Sequence, residues 1–228
     1  MASTSTLALA FSLLALFSLT SCTGYREPSL DEPFTKHQFD LGTHQLQLAM
    51  PGSRSVDFPI SRGRKSVDLA AIGAAGKETT LELFEAYWDF GGGSFNKVDG
   101  SMRIMIRLRS NYAENGVSLF TPENLIALAR KRMNHSTFHI SANLVSQEDI
   151  GGCRWIFYKI SGDSGKRSMR DFLLAIGNNH YLHFGIDLIP NSENYLWMNR
   201  ATEMYKRVLE SVVVYHKHSG QNVRSCLN

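Results

Sequence analysis

The chain is poor in the residues and patterns that advertise chemistry. Its 228 residues include three cysteines and six prolines. The 24 basic and 21 acidic residues leave a net charge of only +3. So small an excess, spread along the chain, does not call for a nucleic-acid partner. No apolar stretch reaches the roughly 20 residues that a membrane-crossing helix needs. G-x-S-x-G, H-E-x-x-H, P-loop and dinucleotide fingerprints are all missing, so the enzyme and cofactor classes those motifs mark are not indicated. There is no repeat at a solenoid period.

The histidines do not fill the gap. His180 and His183 stand three apart in a predicted strand, which sends their rings to opposite faces. Asp187 shares the face of His183 but lies well along the strand, at about 3.3 Å per residue. His216 and His218 could pinch a metal ion between them, yet zinc sites take three or four ligands. The expectation is no metal, no cofactor and no assembled catalytic residue.

What is present is an ordinary core-forming composition, 43% hydrophobic, at a length that suits one domain. Leu46, Leu48 and Met50 alternate with polar neighbours up to Pro51-Gly52, which reads as a strand and its end. Phe84, Ala86, Trp88 and Phe90 define one face of a second strand, before Gly91-Gly92-Gly93 breaks it. In the next, Met102, Ile104, Ile106 and Leu108 face inward. Arg103, Arg107 and Arg109 form an outward ridge with Met105 among them. This ridge is a candidate contact for an acidic partner, or simply a solvated face. Arg54, Arg62, Arg64 and Lys65 sit in a segment, 51–80, without readable periodicity.

Thr121 and Pro122 open a helix predicted to run to about Asn134. Strands are expected over Phe138–Ser146, Arg154–Ser161, Met169–Ile176 and His180–Leu188. Pro190 ends the last of these. The stripe Trp197, Ala201, Met204, Tyr205, Val208, Leu209 and Val212 then predicts a long helix through about Val213. Several strands are apolar on both faces, which leads to the expectation of helices covering the sheet on both sides.

The first residues carry the most specific signal. Leu7–Leu19 has the length of a secretory apolar region, and Leu19-Thr20-Ser21-Cys22 follows at once. The quartet resembles a bacterial lipobox, although no Lys or Arg precedes the apolar run. The resemblance implies cleavage before Cys22 and a diacylglyceryl group on its thiol, with fatty acyl chains such as palmitate. Two or more acyl chains give stable membrane attachment. Thr23 rather than Asp follows, which in enteric bacteria implies the outer membrane, with the protein facing the periplasm. An ordinary cleaved secretory signal is the plainer alternative. With Cys22 acylated, Cys153 and Cys226 remain as a possible disulfide in an oxidising compartment, or as two thiols.

The resulting layout is a signal peptide over residues 1–21, a lipidated cysteine and tether over 22–36, one globular domain over 37–215 and a tail over 216–228. The segment His180-Tyr181-Leu182-His183-Phe184, the Trp197–Leu209 helix and Glu210-Ser211-Val212 resemble the end of the PsbP/DcrB-like fold. That resemblance implies an α+β single domain, an antiparallel sheet in an α/β/α sandwich. It also implies a non-enzymatic protein-binding or assembly role with an unidentified protein partner. Two alternatives stand beside it. One is a periplasmic immunity lipoprotein that plugs a secreted toxin. The other is a small hydrolase using Cys153 or His183.

Overall fold

The computed structural model describes residues 28–52, 79–91, 98–110, 122–135, 145–161, 168–176, 180–218 and 221–224. Within them run β1 (Thr35–Asp40), β2 (His44–Met50), β3 (Thr79–Phe90), β4 (Gly100–Ser110), α1 (Pro122–His135), β5 (Val145–Ile150), β6 (Cys153–Ser161), β7 (Ser168–Ile176), β8 (His180–Pro190), α2 (Leu196–Glu210), β9 (Val213–His218) and β10 (Gln221–Arg224). Every strand pairing among them is antiparallel. A six-stranded sheet has the order β3-β4-β8-β7-β6-β5, and a four-stranded sheet has the order β1-β2-β9-β10.

The period-two pattern decides which face of the large sheet is apolar. Met102, Ile104, Ile106 and Leu108 of β4 lie beside Leu188, Ile186, Phe184 and Leu182 of β8 in direct register. All eight are buried. Against this face the small sheet sets Phe39, Leu46, Leu48, Met50 and Val214, and α2 sets Trp197, Ala201, Met204, Val208 and Leu209, in one continuous core. Trp88 marks the junction of the sheets, its indole N–H pointing to the carbonyls of Pro51 and Gly52 at 3.3 and 3.2 Å. Arg170, which also faces the core, donates to Thr202 Oγ1 and Tyr205 OH of α2, both at 2.9 Å, so its charge is used to fasten the helix to β7.

The opposite face is covered differently. Leu125 and Ala129 of α1 pack on Ile156, Tyr158, Leu173 and Tyr181, over the β5–β6–β7 half of the sheet. The β3–β4–β8 half of that face is polar, and it is where the candidate site lies.

The expectation of an α/β/α sandwich is overturned. The fold is β-rich, and the main second layer is another sheet. Strands apolar on both faces do need two covers, but a sheet covers as well as helices do. The element misread was Val213–His218. The sequence pattern predicts a helix through about Val213 and a tail from 216, whereas α2 stops at Glu210 and β9 pairs with β2.

β4, β6, β7 and β8 lie close to their expected bounds, whereas β3 begins at Thr79 rather than Phe84, and β1 and β10 form where a tether and a tail are expected. The strand expected at Phe138–Ser146 falls on residues outside the description up to 144, and β5 is Val145–Ile150. β5 turns into β6 through Gly151 and Gly152, with φ of 61° and 76°. Two successive left-handed residues are what a tight two-residue hairpin demands, and a Cβ on Gly151 would also sit 2.5 Å from the Glu210 carbonyl oxygen. At the other end, Leu30 and Phe34 already pack against the core before β1 begins. No helix among the described residues is long and apolar enough to cross a membrane.

Candidate functional site

Register builds the polar face as a grid. Tyr87 of β3 stands beside Arg103 of β4, then Asp187 of β8, then Met169 of β7. The next row reads Glu85, Met105, Gly185, Asp171, and the row after it Glu82, Arg107, His183, Leu173. A bulge between Glu82 and Phe84 keeps both glutamates on this face, since one extra residue restores the alternation that a three-residue spacing would break.

The charges in the grid are compensated across strands. Arg103 makes an ion pair with Glu85, and its guanidinium lies 5.3 Å from the centre of the Tyr87 ring. Tyr87 OH donates to Glu85 at 3.1 Å. Burial holds the Tyr87 phenol above its ordinary pKa, and the Glu85 carboxylate adds to the rise while Arg103 opposes it. Arg107 reaches Glu82 at 3.8 Å and Met105 Sδ at 3.2 Å. Arg103 and Arg107 are each 26% exposed, so part of each side chain stays open, although the Nε of Arg103 is buried without a hydrogen-bond partner. The outward arginine ridge is therefore present as expected, but it is not a bare cationic stripe. Arg109, the third member, stands opposite Thr80 and Tyr181 and is also engaged within the structure.

Deeper in the same face, His183 Nε2 and Asp171 Oδ1 are 2.7 Å apart, and both residues are buried. They meet diagonally across β8 and β7 because Gly185 stands between them. A Cβ there would lie 3.3 Å from Asp171 Oδ1 and from Met105 Cε. Glycine inside a strand often marks such a close approach. Asp187 is fully buried one row away.

The remaining sequence candidates are not brought together. Cys153 is fully buried and disulfide-bonded, with Sγ 3.8 Å from the Val212 carbonyl oxygen. Its partner lies outside the described residues, as do Cys22 and Cys226 themselves and Arg54, Arg62, Arg64 and Lys65. His180 opens β8 on the core-facing side, opposite Ser110 and Ile176. His216 stands directly opposite His44, with ring centres 4.7 Å apart in an edge-to-face contact. Among the described residues no set of three His, Cys, Asp or Glu side chains could hold a metal ion.

A second surface feature was not legible in the sequence. Asp99 ties down the loop that leads into α2. Its carbonyl accepts from the backbone N–H groups of Asn191 and Ser192 at 2.8 and 3.0 Å, and its carboxylate accepts from Ser192 Oγ and Asn194 Nδ2 at 2.9 and 3.0 Å. Asn194 Oδ1 in turn accepts from the Leu196 N–H. The loop so held presents Tyr195 and Leu196, which are 52% and 72% exposed, beside a cleft of about 380 Å³ lined by Pro190, Asn191, Ser192 and Glu193.

The missed residues share a reason. Asp171 is an acidic residue on the alternation of Met169 and Leu173, which could have flagged it as inward-facing, but its partner depends on register. Asp99 acts on residues more than ninety positions away, and nothing local announces that. No protein-family model matches the chain, nor does any curated protein or solved structure.

Proposed function

We propose that the protein is a lipid-anchored module of the bacterial envelope that binds another protein through the strip formed by Tyr87, Arg103 and Arg107. The observation that supports this is the preorganisation of the strip. Its two arginines are held by Glu85, Glu82, Tyr87 and Met105, yet keep part of their surface open. Tyrosine and arginine dominate binding hot spots. Side chains already fixed lose little rotamer freedom on association. Glu82 and Glu85 make the strip mixed in charge, so the partner must present carboxylates to the outward guanidinium edges and a polar or apolar patch to Tyr87 rather than a plain acidic surface. The anchor is Cys22, through the lipobox-like Leu19-Thr20-Ser21-Cys22.

The form of the hydrolase alternative that uses Cys153 loses support. A thiol nucleophile requires a free thiolate, and the Cys153 sulfur is both buried and committed to a disulfide.

The experiment is crosslinking of the full-length protein in its native envelope, with bound proteins identified by mass spectrometry. Truncating the pair, Arg103→Ala with Arg107→Ala, is expected to lower recovery of a stoichiometric partner about tenfold or more, the effect of losing about 1.4 kcal/mol. Recovery unchanged in a variant that keeps its thermal midpoint refutes the assignment of the strip. A partner that proves to be a toxin converts the reading to the immunity form. Anchoring is tested separately: Cys22→Ala should move the protein out of the membrane fraction, and its persistence there sinks the lipoprotein reading.

A further inference from the structure

We infer that the N-terminal tip of α2, Tyr195 and Leu196, rests on the bilayer surface. This rests on the anchoring at Cys22 proposed above.

Three observations converge. First, Tyr195 and Leu196 are the large hydrophobic residues left exposed among those described. The Asp99 network holds them out on a stiff loop instead of letting them fold back. Leu196 is followed at once by Trp197, which is fully buried and lies flat on Gly100, where a Cβ would come within 2.1 Å of the indole. The tip therefore cannot rotate inward without expelling that indole.

Second, the N-terminal chain leaves the domain along the same helix. Arg207 donates to the Leu30 carbonyl oxygen and lies 4.8 Å over the Phe34 ring, while Leu30 and Phe34 pack on the core. From Cys22 to Leu30 is eight residues, a span of at most about 28 Å when fully extended. From Arg207 back to Leu196 is eleven residues of helix, or about 16 Å. An acylated Cys22 thus keeps one end of α2 within tether's reach of the headgroups. The tip at the other end lies closer to that exit than the tether is long.

Third, the exposed charges of α2 and its approach balance in sign: Arg200, Lys206 and Arg207 against Glu193, Glu203 and Glu210. The contact is therefore apolar in character and does not require anionic lipid. A tyrosine beside a leucine suits the headgroup–acyl boundary, where an aromatic body sits in an apolar layer and its hydroxyl stays wet.

The test uses the full-length acylated protein in phosphatidylcholine vesicles. The native Trp88, Trp155 and Trp197 are all at most 2% exposed, and their emission in brominated vesicles is recorded on the wild type and subtracted. Leu196→Trp is expected to lose a large share of its added emission to the brominated lipid. Lys36→Trp, on the outward face of the small sheet, is expected to lose none. Tyr195→Trp is the second probe should Leu196→Trp alter the thermal midpoint. Flotation of the vesicles is read first, because protein that does not float overturns the anchoring reading. Protein that floats while the probes at 195 and 196 stay unquenched overturns bilayer docking alone, and leaves the tip to a protein partner.

Discussion

Acid should loosen the seam where the chain's two ends meet, through His44. This residue is 6% exposed at the start of β2 and packs edge-to-face against His216. Burial first, then the neighbouring His216 and His180, lowers its pKa from 6.5 to about 4. The folded state therefore binds fewer protons than the unfolded chain between those values, and stability falls as pH drops through that window. The stabilisation of the neutral form is intact above about pH 6.5 and gone near pH 4. A shift of this size corresponds to at most about 3.4 kcal/mol. Residual solvation at the sheet end, where a protonated ring can still find water, reduces the realised loss to roughly 1.5–3 kcal/mol.

The assay is urea unfolding from pH 7.5 down to pH 4 for the wild type and for His44→Gln, taking the difference at each pH so that carboxylates common to both cancel. The wild type should lose about 1.5–3 kcal/mol relative to the variant across the range. A difference that stays flat within about 0.5 kcal/mol would show that the ring is not held neutral by its surroundings, and the reasoning fails.

Three further outcomes follow from the packing. Gly100→Ala forces a methyl into the Trp197 indole and should cost about 2–3 kcal/mol by chemical denaturation; Trp197→Phe in the same chain should recover part of that loss, and full additivity of the two changes would refute the clash. Ser211→Ala removes the hydroxyl that accepts from the Ala49 N–H at 2.8 Å and lies 3.2 Å from the Ala49 carbonyl oxygen; a loss of about 1–2 kcal/mol is expected, with faster amide exchange at Ala49 as the local readout. Cys153 is disulfide-bonded, and under the proposed acylation of Cys22 non-reducing peptide mapping should join it to Cys226; a Cys22–Cys153 linkage would instead overturn that acylation.

Most individual elements could be read from the sequence because their signals are local. The alternation in Met102–Leu108 and the stripe from Trp197 to Leu209 each require only neighbours along one strand or helix. The architecture could not, because it depends on which strand meets which. Val213–His218 looks like a frayed tail until β2 is beside it. Likewise Arg103, Arg107 and Arg109 read correctly as an outward ridge, while the glutamates that restrain two of them belong to another strand. The His183–Asp171 pair needs the register of β7 against β8, and the gap that Gly185 leaves, before it exists at all.

The pairing of β2 with β9 carries a consequence for how the molecule comes into being. Leu46 meets Val214, a contact that closes nearly the whole domain into one loop, and β9 is the strand that joins the β1–β2 hairpin to β10. The second layer of the core cannot be completed while β9 is still unsynthesised. Non-local pairings of this kind form late and slowly. A nascent chain therefore lacks its second core layer until β9 has been synthesised. The same stitch that makes the folded domain cohesive postpones its completion until β2 and β9 are both present.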